Sequence, residues 1–186
     1  MEQLQAFDRG TCGTSDLTDV LGFPPVLDAC CGPKMMWFDR QGARCLFADI
    51  RAETHITDKR PGRSPVEIAP DVISDFSDMG FPDESFWLVV FDPPHIIRNA
   101  PLGWITKKYG VLSGEWREML RLGFSECFRV LKPNGTLIFK WSDSNVPVSE
   151  ILKLTPEKPL FGHRSGKQSA THWIAFMKPN AEIRGD

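Results

Sequence analysis

A chain of 186 residues, 41% hydrophobic and with a formal net charge of −2, is long enough for one domain with a real core and too short for two full-sized ones. The near-neutral balance excludes a generic polyanion binder, no apolar run approaches the roughly 18 residues of a membrane helix, and five irregularly spaced cysteines fit neither a disulfide framework nor a zinc site. The opening residues, MEQLQAFDRG, are too polar for a signal peptide, so a reducing, cytoplasmic setting without membrane contact is expected.

Residues 1–24, with Gly10, Gly13, Gly22 and Pro24, predict an irregular lead-in to a single domain spanning 1–186. Short apolar runs follow at Val26–Leu27, Cys45–Ala48, Val72–Ile73, Leu88–Phe91, Thr136–Trp141 and Trp173–Met177. The first four each run into an acid: Asp28, Asp49, Asp75 and Asp92. Continuous apolar strands with polar carboxyl ends predict a buried, mostly parallel sheet whose ligand face lies at those ends.

Connections are thin. About two turns of helix are expected near Lys34–Arg40. Residues 51–70, with Pro61, Gly62, Pro65 and Pro70, predict a long loop with one short extended piece near Val66–Ile68. The clearest helix is Glu115–Val130, where Trp116, Met119, Leu120, Gly123, Phe124, Cys127 and Phe128 share one face. Ser113 is its expected cap, and Lys132-Pro133-Asn134-Gly135 turns the chain into the next strand. The architecture is therefore a trimmed α/β sandwich with reduced helices.

Val26 to Gly32 reads VLDACCG, a strand ending in a small-residue loop (Ala29, Cys30, Cys31, Gly32) that a ligand can approach closely. Asp49 stands 21 positions after Asp28, where an acid can accept from both ribose hydroxyls of a nucleoside-bearing cofactor. Asp75 and Phe76 provide an acid and a ring able to hold and cover an adenine. Any one of these acids is explained as an ordinary turn residue, but three in register with that loop favour a cofactor site. G-x-G-x-x-G is absent, which argues against a dinucleotide dehydrogenase, and the missing Gly-Lys-Ser/Thr loop excludes a P-loop enzyme.

Phe91-Asp92-Pro93-Pro94-His95 carries the reaction chemistry. Pro93 must end the strand because it has no N–H for the ladder. An acid, a rigid carbonyl-presenting turn and a flat ring at a strand end suit the holding of a planar amino group. An exocyclic amine conjugated to a base is a poor nucleophile. Accepting both of its N–H bonds, at Asp92 and the Pro93 carbonyl, turns its lone pair toward an electrophile. His95 would stack on the flat target. A cysteine-nucleophile mechanism is rejected: Cys127 belongs to the apolar helix face, and Cys30 and Cys31 to the cofactor loop.

Together these stretches resemble the class I S-adenosylmethionine-dependent methyltransferases. VLDACCG resembles their first motif, LFADI the second, ISDFSDMGFPDESFWLVVFDPP the third and fourth strands, and RVLKPNGTLIFKW the junction into the fifth; THWIAFMKP resembles the last, antiparallel strand. FDPPH resembles the Asp-Pro-Pro-aromatic motif of amino-group enzymes, as in small nucleic-acid N-methyltransferases. The resemblance implies a Rossmann-like sandwich and S-adenosylmethionine as cofactor. It places Asp28 and the Cys30–Gly32 backbone beside the methionine moiety, Asp49 on the ribose, and Asp75 with Phe76 on the adenine.

Two loops are candidate substrate contacts: 96–113, with Arg98, Trp104, Lys107, Lys108 and Tyr109, and 158–170, with His163, Arg164 and Lys167. Arg51, Lys59, Arg60 and Arg63 form a third basic group. With no room for a separate sequence-reading domain, a DNA or RNA target would be read by these loops, by shape, or by a partner protein. The expected activity is methylation of an exocyclic amine of a nucleic-acid base, adenine N6 favoured. The alternatives are an amide or amine of a protein or small molecule, and a non-catalytic binding module on the same fold.

Overall fold

The apolar runs pair into one seven-stranded sheet. The computed structural model describes residues 22–56, 65–97, 104–112, 114–164, 166 and 170–180. Its strands are β1 (Val26–Asp28), β2 (Cys45–Asp49), β3 (Glu53–His55), β4 (Val66–Ile68), β5 (Val72–Ile73), β6 (Phe86–Phe91), β7 (Leu131–Ser142), β8 (Phe161–Arg164) and β9 (Thr171–Met177). Its helices are α1 (Trp104–Tyr109), α2 (Trp116–Val130) and α3 (Val148–Ile151), the last continuing as a 3-10 turn to Leu154. The sheet order is β5-β2-β1-β6-β7-β9-β8. The first five of these strands are parallel, β9 runs antiparallel to β7, and β8 runs antiparallel to β9. This is the expected mostly parallel α/β sheet with an antiparallel strand near the chain's end. Among the described residues no helix is long and apolar enough to cross a membrane.

The core lies between one face of this sheet and α2. Strand pairing sets Val89 opposite Leu137 and Phe91 opposite Phe139, so these side chains share a face. They meet Leu120, Phe124, Cys127 and Val130, which recur at three- and four-residue steps along α2 and are all buried. Phe91 sits at the centre, with ring centroids 5.3 Å from Phe76, 5.4 Å from Phe124 and 5.8 Å from Phe139. Burying one such ring contributes about 1.5–3 kcal/mol. Gly123 lets the helix come this close: a Cβ there would stand 2.7 Å from Phe76 Cδ2 and 2.8 Å from Phe91 Cζ.

Polar ties hold the connection between β5 and β6 on α2. Arg129 donates to the Met79 and Phe81 carbonyls (both 2.8 Å), and Glu126 accepts from the Met79 N–H at 2.8 Å. A smaller apolar cluster on the opposite face joins Cys31, Cys45 and Phe47 with Val26 and Trp37.

Four connections differ from expectation. No helix forms over Lys34–Arg40; residues 29–44 cross from β1 to β2 in turns. Lys34 takes a left-handed φ of 52°, and Trp37 packs edge-on against Phe47 while its indole N–H donates to Asp28 Oδ2 at 2.7 Å. That side-chain bond competes with helix formation. The Lys132–Gly135 turn lies within β7 rather than before it, with Asn134 at φ 62° and its N–H donating to the Lys178 carbonyl at 2.9 Å. Part of the expected loop 158–170 is the edge strand β8, because Phe161 to Arg164 find ladder partners in Ala175 to His172. Part of the expected loop 96–113 is α1. In the stretch 51–70, β4 falls at the expected Val66–Ile68, and β3 pairs with it as an antiparallel hairpin. Most of the lead-in, Ser113, Lys59, Arg60, Arg63, Arg98 and Lys167 lie outside the described residues.

Gly123→Val should lower stability by about 2 kcal/mol or more, since overpacking against two buried rings outweighs the modest helix-propensity gain over glycine. Urea unfolding monitored by circular dichroism reads this as a lower midpoint with an unchanged slope.

Candidate active site

Strand alternation builds the site. With Phe91 and Phe139 turned toward α2, the next residue of each strand, Asp92 and Lys140, faces the other side of the sheet. The Lys140 ammonium donates to Asp92 Oδ2 in a tight ion pair. On its other flank, Lys140 Nζ lies 5.7 Å from the Trp173 ring, its cross-strand neighbour. Burial pushes the Asp92 carboxyl above its ordinary range, while the charge and hydrogen bond of Lys140 pull it back.

Asp92 and Pro94 line a cleft of about 300 Å³ together with Cys30, Cys31, Gly32 and Phe76. Lys108 and Tyr109 of α1 border it. The sequence separates these groups by up to about eighty positions; the parallel pairing of β1 with β6 brings their carboxyl ends together. Pro93 is buried, and the His95 ring stands beside the cleft, 6.3 Å from Tyr109 and 6.4 Å from Trp141. Burial holds the His95 imidazole below its ordinary range, with Lys140 acting in the same direction and Asp92 against it.

The expected cofactor acids have distinct surroundings. Asp28 is fully buried behind the loop, its Oδ1 accepting from the Cys30 N–H (3.3 Å) and its Oδ2 from Trp37. Burial pushes its carboxyl up to about 7. Asp49 lies on the cleft, but Oδ2 accepts from the Gly32 N–H at 2.9 Å, and Oδ1 accepts from Arg51 N–H (2.9 Å) and Nε (3.2 Å). A carboxylate has about four acceptor positions, so one is left for a ligand unless Arg51 moves. Asp75 Oδ1 accepts from Ser77 N–H (2.8 Å) and Oγ (2.7 Å), closing its own turn, while Phe76 reaches the cleft.

The thiols are poor nucleophiles. Burial raises those of Cys30, Cys31 and Cys127, and that of Cys45 to about 12.

The two substrate segments separate. Lys108 and Tyr109 reach the cleft, and Lys108 Nζ lies 5.0 Å from the Tyr109 ring. Trp104 and Lys107 belong to α1, but their side chains lie outside the described residues. His163 and Arg164 stand on the far edge strand at a separate, open depression. There Arg164 and His172 share Asp143 Oδ2, at 3.1 and 2.7 Å, so this basic stretch is balanced by an acid. Sequence reasoning missed Lys140, Asp143 and Trp37. For Lys140 the available signal was a lysine inside the otherwise apolar run Thr136–Trp141.

No family model matches the chain, and no curated protein matches it in sequence. Solved structures do match in fold. A Pyrococcus horikoshii protein superposes with a TM-score of 0.52 at 16% identity, over 83% of this chain and 81% of its own. A TehB-like SAM-dependent methyltransferase from Corynebacterium glutamicum superposes with a TM-score of 0.51 at 16% identity, over 87% and 85%. The fold is thus the Rossmann-like sandwich found in that methyltransferase.

The raised Asp28 carboxyl has a thermodynamic signature. The unfolded chain releases this proton near 3.8 and the folded chain near 7, so the group removes stability as pH rises through that window and no more above it. Asp28→Asn should therefore gain on the wild type between pH 4 and 7, by on the order of a few kcal/mol. Urea unfolding of both proteins from pH 4 to 8 measures the difference; a gap independent of pH refutes the assignment.

Proposed function

We propose that this Rossmann-like domain is an S-adenosylmethionine-dependent methyltransferase whose acceptor is the nitrogen of a planar amino group. The exocyclic amine of a nucleic-acid base is favoured, adenine N6 foremost. The observation that supports this most is the cleft itself, which the small-residue strand-end loop lines together with Asp92 and Pro94.

The residues present fit the cofactor. Gly32 adopts φ +49°, a conformation that favours glycine, and nothing lies within 4 Å of the place a Cβ would occupy, so a ligand can approach the backbone. Phe76 offers a flat wall, and Asp49 keeps one acceptor position for a hydroxyl. S-adenosylmethionine, when bound, supplies an electrophilic methyl on a sulfonium.

The chain's own residues then act on the acceptor. Asp92 Oδ1 and the Pro93 carbonyl accept the two amino hydrogens, which localises the nitrogen lone pair and aims it across the cleft. A strong base is unnecessary, because the methylated nitrogen sheds its proton readily once it carries positive charge. His95, kept neutral by burial, flanks the target, and Tyr109 adds a larger ring on the cleft wall. Lys108 beside Tyr109 suits a phosphate next to a stacked base.

Methyl-labelled S-adenosylmethionine should transfer label into a DNA or RNA pool, with the modified nucleoside identified after digestion. Label found only in protein would move the acceptor to an amide, and absence of cofactor binding by calorimetry would end the enzyme reading. Asp92→Ala should reduce transfer by at least about 100-fold while cofactor affinity stays within a few-fold. A fully active Asp92→Ala protein would falsify the role given to this carboxylate.

A further inference from the structure

We propose that Lys140 is a positioning residue of this site: its ammonium keeps Asp92 an anion and fixes its orientation, leaving Oδ1 for the acceptor amine. The inference rests on the methyltransferase reading for its catalytic meaning, but its electrostatic part stands on geometry alone.

Three observations carry it. First, Lys140 donates to Asp92 Oδ2, so one carboxylate oxygen is committed and the rotation of the group is set. Second, the pair is enclosed: the side chains of Asp92 and Lys140 keep only 19% and 25% of their exposure, and such burial disfavours an unpaired carboxylate anion. Third, Lys140 is itself flanked by its cross-strand neighbour Trp173, whose ring centroid lies 5.7 Å from the ammonium.

Among the described residues, charged and titratable groups face Asp92 from four elements. His95 stands on the same turn and Lys140 on β7; Asp28 and Cys30 lie at the end of β1, Asp49 and Arg51 at the end of β2, and Lys108 and Tyr109 on α1. Asp92 disfavours the ionisation of Asp28, and Arg51 is engaged by Asp49 and Glu53. Lys140 is the cation bonded directly to Asp92. A protonated Asp92 would lose its negative charge and present a donor in place of one acceptor position when the amine must be held, so the state of this one acid links Lys140 to turnover.

The linkage has a definite sign. Losing an adjacent opposite charge raises a carboxyl pKa by about 1–3 units. Without Lys140 the anion is therefore lost at higher pH, and the acid limb of the rate profile moves upward.

Two measurements on the full chain test this. In the first, Asp92 is titrated by carboxyl carbon NMR without substrate or cofactor, in the wild type, Lys140→Met, Lys140→Gln and Lys140→Arg. The midpoint should rise by at least about one pH unit in the Met and Gln proteins and stay near the wild-type value in the Arg protein. An unchanged midpoint in whichever of the Met and Gln variants folds overturns the proposal. In the second, pH–rate profiles of label transfer are compared. The acid limb of the Met and Gln proteins should lie at least about one pH unit above that of the wild type, with the lost rate recovered as pH rises and KM for S-adenosylmethionine within a few-fold of the wild type. Lys140→Arg should keep the limb in place whatever its maximal rate. A profile merely scaled down, with its shape retained, would show that Lys140 is only structural. If the wild type transfers no methyl to any pool while the NMR midpoints move as stated, the catalytic reading fails and the electrostatic role of Lys140 stands.

Discussion

The pairing register of β6 with β7 is the constraint on which the rest depends. Setting Phe91 opposite Phe139 commits both rings to the core beneath α2, and strand alternation then forces Asp92 and Lys140 to the opposite face together. A slip of one residue would exchange the two sets, burying an acid under the helix and exposing two phenylalanines. The register is thus held by apolar burial worth several kcal/mol, and the site's ion pair is a by-product of that packing. The chemistry sits where it does because the core leaves it nowhere else to go.

A reduced set of helices makes the remaining side chains do more. In the turns from β1 to β2, Trp37 covers Phe47 and donates to Asp28, joining a small apolar cluster to the loop behind the cleft. On the other face, Arg129 and Glu126 clasp the segment that brings Phe76 to the cleft wall. In both places one or two side chains with polar tips substitute for a layer of packing. These contacts are charge-assisted or well enclosed, the conditions under which hydrogen bonds contribute most.

Most of the fold was legible because buried parallel strands are written as plain apolar runs. Val26–Asp28, Cys45–Asp49 and Phe86–Phe91 are found within a residue or two of their expected bounds, as is the amphipathic α2. What escaped notice has a physical reason each time. Glu53-Thr54-His55 is a strand with no apolar residue, stabilised by pairing to Val66–Ile68. Phe161-Gly162-His163-Arg164 contains a glycine and a charge and lies at an exposed edge, so only its ladder to β9 defines it. Lys34–Arg40 has helix-forming residues, yet a tertiary hydrogen bond from Trp37 and a left-handed Lys34 override them. In the site, Asp92, Pro94 and the Cys30–Gly32 loop were readable from strand ends, whereas Lys140 was hidden because its meaning depends on a partner 48 positions away. Asp49 was read as a free acid, and its bonds to Gly32 and Arg51 become visible only in three dimensions.

The turns that replace a helix after β1 also decide which ligands the cleft turns away. In dinucleotide-binding sheets a helix begins at that place, and its first N–H groups and positive end receive pyrophosphate. Residues 29–44 begin no helix, and two of the loop's N–H groups, those of Cys30 and Gly32, are already bonded to Asp28 and Asp49. A phosphate entering at this loop would meet no row of helix N–H donors. Phosphorylated adenosines, which share the nucleoside half of many cofactors, therefore find none of that helix-end anchorage at this loop.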